Sequence, residues 1–250
     1  QLSHSHEFDQ IREYVHGDDL RSINWKATAR RAELMVNQYQ AERAQPIYNL
    51  IDTGRQMKMP FQGLSLLDYA INASLVISAI AMDKKDKAGL MAFSKTITTQ
   101  LPAKRGKRHL LSLMEGLYRI DTDYDDTNYE KLYAGIQRHI GQRSLVLLYT
   151  NFVSVQSMRR QMAILRALAK KHVLVVIFFK NTGLGEMMGQ EAATIRQVYQ
   201  KITAERFAYE KELMVRELHK YSIHSLLVAP SQLNTQVLNK YLQLKAKGLI

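Results

Sequence analysis

The chain has 250 residues, 46% of them hydrophobic, which suits one large domain or one domain with a small attachment. It contains no cysteine, which excludes disulfide bonds and thiolate metal sites. The formal net charge of +12 is compatible with nucleic acid, an anionic membrane face or an acidic protein as partner.

The opening segment begins with a helical periodicity and ends with a strand-like alternation. Phe8, Ile11 and Tyr14 recur at helical spacing. The run His-Gly-Asp-Asp at 16–19 has the composition of a turn, because Gly tolerates positive φ and Asp bonds to nearby backbone. The alternation of apolar and polar residues over 33–39 predicts an edge-like strand.

The same segment is dense in charge of both signs. Leu20, Ile23 and Trp25 are expected to be its apolar anchors. Six Lys or Arg stand against seven Asp or Glu in residues 1–45, which predicts a polar network that holds one conformation. We predict a boundary at Pro46, with a segment at 1–45 and a domain at 46–250.

The rest of the chain alternates strands with helices. This order predicts an α/β fold with a mostly parallel open sheet and helices on both of its faces. The strand at 97–101 is expected to pair with 87–93 as a hairpin, and the very apolar strand at 173–179 is expected to lie centrally. Strands are predicted at 47–51, 87–93, 97–101, 144–149, 173–179 and 224–228, and helices at 64–83, 107–118, 129–139, 156–171, 190–221 and from Ser231 to about 247.

Three details of these elements are also predicted. No apolar run reaches the roughly 20 residues that span a bilayer, so the longest, 71–82, is expected to be a buried helix. The long helix is expected to break near Thr203, after a flexible loop at 183–189. Ser231 is expected to cap the last helix.

A signature run in the opening segment identifies a family. It resembles the bacterial family called domain of unknown function 58, whose pattern precedes a von Willebrand A-like domain, and the downstream order of elements fits as well. The residues that carry the resemblance are Phe8, Arg12, Tyr14, Gly17, Asp18, Asp19, Arg21, Ile23, Trp25, Lys26, Ala27, Thr28, Ala29 and Arg30.

The resemblance implies a fold, a partner and a cellular location, and it implies little about chemical activity. It implies a von Willebrand A-like, Rossmann-like domain with the signature segment packed on it. It also implies an accessory of a MoxR-type AAA+ ATPase, tethered by upstream helices at the cytoplasmic face of the bacterial inner membrane. The start at Gln1 without a signal-peptide pattern is consistent with a fragment or a processed product.

A metal-ion-dependent adhesion site is the site that such a domain would carry. The first element of such a site has the pattern Asp-x-Ser-x-Ser after the first strand. In this chain it reads Asp52-Thr53-Gly54-Arg55-Gln56, so Gly54 and Gln56 occupy the positions of the two serines. The later threonine is Thr122 or Thr127, and Asn151 replaces the strand-tip aspartate. Because Mg²⁺ prefers several oxygen ligands, we expect a degenerate site without a metal or other cofactor, for which Asp52 is the weak candidate ligand.

Two other charged stretches of the chain are compatible with a binding site or with ordinary solvated surface. Lys104, Arg105, Lys107 and Arg108 surround a predicted helix start and form an anion-binding candidate, with a solvated basic loop as the alternative. The acidic loop at 121–128 lacks the register of a calcium loop, so helix-capping aspartates are expected there.

The leading hypothesis is a non-enzymatic protein-interaction module. Its first candidate surface is Asp52, Arg55, Thr127 and Asn151 at the ligand-binding edge of the sheet. One alternative is nucleic-acid binding through the basic surface, and another is a metal hydrolase that uses Asp18, Asp19 and Asp52. The second candidate surface consists of Gly17, Asp18, Asp19, Arg21, Trp25, Lys26 and Arg30.

Overall fold

The computed structural model describes residues 6–41, 44–122, 125–180 and 195–250. The chain divides into two compact units, Gln1–Ala44 and Gln45–Ile250.

The first unit is built on a two-stranded antiparallel ribbon. Strand β1 (His6–Glu13) pairs with β2 (Met35–Ala41), and a short helix, α1 (Trp25–Arg31), lies between them in sequence. Helix α1 begins where the Asn24 side chain accepts a hydrogen bond from the Ala27 amide, which satisfies one of the unpaired donors of the first turn. Strand β2 confirms the strand predicted at 33–39, with its bounds slightly later in the chain.

Two expectations for this unit are wrong. Helical spacing over 8–14 does not produce a helix, because the segment pairs with β2 and this pairing overrides a short local pattern. Leu20 and Trp25 are not buried anchors, since they are 66% and 70% exposed. The turn at 16–19 is confirmed, and Gly17 adopts a φ of 111° there.

The second unit contains a six-stranded sheet in the order β10-β9-β8-β3-β6-β7. Neighbouring strands are parallel except β7, which returns antiparallel to β6 as the predicted hairpin. The α/β class with a mostly parallel sheet is confirmed. The strands are β3 (Pro46–Asp52), β6 (Lys87–Phe93), β7 (Ile97–Lys104), β8 (Leu145–Tyr149), β9 (Val173–Phe179) and β10 (His224–Val228), and a small separate pair is β4 (Pro60–Phe61) with β5 (Leu64–Ser65).

Helices cover both faces of this sheet, as predicted. Successive residues of β3 alternate between two cores: Ile47 and Ile51 face one, and Tyr48 and Leu50 face the other. The first core is shared with α2 (Leu66–Asp83), α3 (Lys107–Tyr118) and α7 (Leu233–Ala246), and the second with α4 (Tyr129–His139), α5 (Val155–Lys171) and α6 (Ile195–Lys220).

Several predicted details differ from the structure. The long helix α6 runs through Thr203 without a break, and Gln232 rather than Ser231 occupies the cap position of α7. Strands β8 and β3 are central, whereas β9 lies next to the edge strand β10. The loop predicted at 183–189 lies outside the described residues.

Helix α2 contains the apolar run at 71–82. By length and composition α2 could cross a membrane, with a mean hydropathy of 1.4. Its residues Ala70, Ala73 and Ile77 are nevertheless buried in the first core, as expected for a core helix.

Candidate functional site

The candidate site lies where the central strands of the sheet end. Asp52 is the last residue of β3 and is 2% exposed, and Thr150 directly follows β8, the strand beside it. In open parallel sheets, ligands bind outside these carboxyl ends. The topology therefore places a buried carboxylate at the ligand-binding edge.

Hydrogen-bond donors from three segments hold the Asp52 carboxylate. Its Oδ1 accepts from the Gly54 amide at 2.9 Å and from the Thr127 hydroxyl at 2.6 Å. Its Oδ2 accepts from the Thr150 hydroxyl at 2.7 Å. Charge-assisted bonds of this kind are roughly twice as strong as neutral ones, so they hold the carboxylate in one orientation.

A buried tyrosine extends this network. The Tyr129 and Thr150 hydroxyl oxygens are 2.7 Å apart, and because Thr150 gives its proton to Asp52, Tyr129 donates to Thr150. Burial and then the charge of Asp52 raise the pKa of the Tyr129 phenol well above its usual range, against the Thr150 hydrogen bond. The phenol therefore stays protonated and acts as a donor.

Gly54 makes room for the threonine that the site uses. A Cβ added at Gly54 would overlap the Thr127 hydroxyl oxygen and lie 3.0 Å from Asp52 Oδ1. Residue 54 therefore accepts no side chain, serine included, unless Thr127 moves. Of the two predicted threonines, Thr127 contacts Asp52, while the Thr122 amide donates to the Asp121 carboxylate.

Arg55 and Asn151 lie at this edge but bind other groups. The Arg55 guanidinium Nε is 3.2 Å from Asp126 Oδ1, and both side chains are mostly solvated. The Lys211 ammonium donates to Asn151 Oδ1 at 2.5 Å and to the Phe152 carbonyl at 2.7 Å. Burial lowers the pKa of Lys211 to about 8, partly opposed by the charge of Glu210.

An open cleft of about 530 Å³ borders the Asp52 network. Thr127 and Tyr129 form part of its wall, and Lys95, Asp126 and Glu130 place charge of both signs around it. The cleft thus contacts the network through Thr127 and Tyr129. In the part of the chain that the structure describes, no group of three or more His, Asp or Glu is arranged to hold a metal ion.

The second candidate surface, in the first unit, uses its carboxylates locally. Asp18 receives both guanidinium nitrogens of Arg12, at 2.6 and 2.7 Å, and the Val15 amide at 2.9 Å. The Arg12 hydrogen bond and then the Val15 amide hold the pKa of Asp18 below its usual range. Asp19 accepts from the Arg21 amide at 3.0 Å, so it caps the turn that follows.

The remaining residues of this surface are solvated. Arg21, Trp25, Lys26 and Arg30 are exposed, the last three on α1, and Gly17 occupies the turn. The pair Asp18 and Asp19 is thus engaged in holding its own loop, which gives no support to the hydrolase alternative.

The predicted anion-binding residues surround the start of α3. Lys104 ends β7, and Lys107 and Arg108 open α3 after Gly106. The Arg105 guanidinium donates to the Lys85 carbonyl at 2.9 Å, so it helps to hold the turn between α2 and β6. In the acidic loop, Asp123 and Tyr124 lie outside the described residues.

Residues of the site that sequence reasoning missed are Thr150, Tyr129 and Lys211. Thr150 carried a signal, since it is a polar residue directly after a buried strand. Lys211 carried none, because it lies about 60 residues from Asn151 and meets it only through tertiary packing.

A family model and curated relatives match most of this chain. The family described as "Protein of unknown function DUF58" matches residues 10–217. "Uncharacterized protein Mb1516" of Mycobacterium bovis is 21% identical over 170 residues, which cover 67% of this chain and 53% of that protein. The chain thus spans about half the length of the curated relatives it matches.

Two solved structures match most of this chain, the first of them at the level of a shared fold. "PilB minor pilin from Streptococcus sanguinis" has a TM-score of 0.55 at 10% identity, covering 84% of this chain and 64% of that one. "Crystal Structure of the SpRpn10 VWA domain" has a TM-score of 0.46 at 13% identity, covering 78% and 94%.

Proposed function

This chain belongs to the family described as "Protein of unknown function DUF58", and we propose that it is a protein-interaction module whose partner docks at the sheet edge around Asp52. The module acts by binding and not by turnover. The observation that carries this proposal is that the Asp52 carboxylate accepts from Gly54, Thr127 and Thr150. A carboxylate held by several donors is a weak base and a poor nucleophile.

The same donor set is a poor fit for a divalent cation. A hard cation needs several free oxygen ligands, whereas the Thr127 and Thr150 hydroxyls point their protons at Asp52. The amide oxygen of Asn151 accepts from the Lys211 ammonium. We propose that these contacts replace the metal, so that the site is a degenerate metal-ion-dependent adhesion site.

The rim of this site supplies the docking surface. Arg55 and Asp126 form a solvated ion pair, and the cleft beside Thr127 carries charge of both signs. Solvated charges of this kind contribute more to specificity and association rate than to affinity. We propose that the partner is a MoxR-type AAA+ ATPase and that upstream helices tether the parent protein to the membrane. Both proposals rest on the family resemblance.

Titration with Mg²⁺ and Mn²⁺ by isothermal calorimetry tests the degenerate site. We expect no saturable heat at millimolar metal, in the wild type and in Asp52→Asn alike. Tight binding that disappears in Asp52→Asn would overturn the metal-free proposal.

Capture of a purified MoxR-type ATPase by the immobilised chain tests the docking face. We expect Arg55→Gln to slow capture severalfold, because a charge on the exposed rim speeds association, while its loss leaves the core intact. Lys220→Gln, an exposed change on α6, is the control. Equal capture by wild type and Arg55→Gln would argue against docking at this edge.

A further inference from the structure

The first unit contains a pocket of about 410 Å³ beside α1. Its charged wall is formed by Lys26, Arg30 and Arg31, and its apolar wall includes Ile11 and Met35. Met35 is buried, whereas the three cations reach solvent.

The three cations have no acidic partner in the described part of the chain. No carboxylate there lies within ion-pair distance of Lys26, Arg30 or Arg31. This contrasts with Arg12 in the same unit, which makes a two-pronged contact with Asp18. The charge in the pocket is therefore available to an external anion.

Helix electrostatics favour two of the three cations and disfavour the third. Arg30 and Arg31 in the last turn of α1 suit the negative end of the helix dipole. Lys26 lies in the first turn, where a cation is unfavourable, and it stands four residues before Arg30 on the same side of the helix. Like charges at this spacing repel each other, and a bound anion relieves that repulsion.

We propose that this pocket binds an acidic peptide segment of a protein partner. Guanidinium groups bind carboxylates through paired hydrogen bonds, and the apolar wall takes a neighbouring aliphatic side chain. A single small anion would leave the apolar wall uncovered, and a flat lipid surface would not fill a concave pocket. The proposal goes beyond the docking face at Asp52, because every residue of the pocket belongs to the first unit.

Fluorescence anisotropy with a short labelled peptide of alternating glutamate and leucine tests the proposal. At a low ionic strength of about 0.05 M, we expect saturable binding that a glutamine-for-glutamate peptide does not show. The variant Lys26→Gln/Arg30→Gln/Arg31→Gln should bind roughly tenfold or more weakly. A second variant, Arg30→Lys/Arg31→Lys, keeps the charge and loses the fork, so it should weaken binding severalfold.

The matched control removes three exposed cations from the other unit. Lys131→Gln/Arg138→Gln/Arg143→Gln changes the net charge equally, and it should bind within about twofold of wild type. Arg55→Gln, which tests the docking face, should also leave peptide affinity unchanged.

Several results would overturn the proposal. They are equal weakening by both triple variants, equal binding of the glutamine peptide, complete displacement by inorganic phosphate at matched ionic strength, and binding of phosphatidylserine vesicles in place of the peptide. Absence of peptide binding by the wild type at low salt would have the same consequence.

Discussion

At the scale of single residues, the environment of Asp52 follows from where its strand ends. The last residue of a central parallel strand is enclosed by the strand ends beside it, so a carboxylate there needs donors from its neighbours. Thr127 and Thr150 supply hydroxyls, and Gly54 supplies an amide. A buried charge is stable only when such donors are present.

Replacement of Thr150 by valine tests this dependence. Thr150→Val keeps the shape of the side chain. It removes the hydrogen bond that Thr150 donates to Asp52 Oδ2 and the one that it accepts from the Tyr129 hydroxyl. We expect the free energy of unfolding in urea to fall by about 3 kcal/mol. Thr96→Val, at an exposed position, should change it by less than about 0.5 kcal/mol, and a similar loss in both would contradict the argument.

His172 offers a test through pH. It is buried at the end of α5, and neither ring nitrogen has a hydrogen-bond partner among the described residues. Burial, and then the charge of Lys171, lower the pKa of His172 below its ordinary value. The imidazole is therefore held neutral in the folded chain.

The sign of the pH effect follows from this lowered pKa. The unfolded chain takes up the proton near pH 6.5 and the folded chain only at lower pH, so stability is full above about pH 6.5 and falls below it. We expect this loss, at most about 1.4 kcal/mol per pH unit, to be reduced in His172→Leu. Urea unfolding at stepped pH measures it. A His172→Leu curve parallel to wild type over that range would contradict the prediction.

At the scale of elements, α6 holds the segment that links β8 to α5. Lys211 donates to Asn151 and to the Phe152 carbonyl, while Glu210 accepts from the Val155 amide at 3.2 Å. These contacts restrain the rim of the candidate site from a helix that is distant in sequence. Local patterns predict each element, but this contact depends on how α6 lies against the sheet.

Removal of the Lys211 ammonium should loosen this rim. In Lys211→Gln, we expect amide hydrogen exchange at residues 152–155 to speed up by about tenfold, since about 1–2 kcal/mol of local stability is lost. Lys220→Gln on the same helix, where the side chain is exposed, serves as the control. Unchanged exchange in Lys211→Gln would show that the loop is held without this contact.

At the scale of the whole second unit, a buried aspartate joins its beginning to its end. Asp86 accepts from the Gln45 amide at 3.0 Å, the Tyr241 hydroxyl at 2.6 Å and the Lys245 ammonium at 3.0 Å. It therefore ties the first strand and the last helix to the turn before β6. Breaking one side of a buried ion pair is costly, because the other charge remains without compensation.

Asp86→Asn should destabilise the fold globally. We expect a loss of about 3 kcal/mol, which for a chain of this size lowers the midpoint of thermal unfolding by about 6–12 °C. Asp83→Asn, at an exposed position three residues earlier, is the matched control and should move it by about a degree or less. Equal midpoints for the two variants would show that the Asp86 contacts do not stabilise the unit.

The net charge of +12 belongs to the same scale and does not require nucleic acid. The basic residues are spread along the chain, and only residues 104–108 form a tight cluster of cations in the sequence. We expect no mobility shift of a DNA duplex at about 0.1 M salt. A shift that weakens steeply with added salt would restore the nucleic-acid alternative.

Sequence alone determined the alternation of strands and helices, their approximate bounds and the position of Asp52 at the end of a strand. These follow from local properties: buried strands are continuously apolar, helices repeat with a period of 3.6 residues, and turns need Gly, Asp or Pro. The signature run also placed the chain in its family. Tertiary structure alone decided which threonine reaches Asp52, that Lys211 meets Asn151, and that Trp25 is exposed. Contacts between residues far apart in sequence produce no periodic pattern in the sequence, because they depend on how whole elements lie against one another.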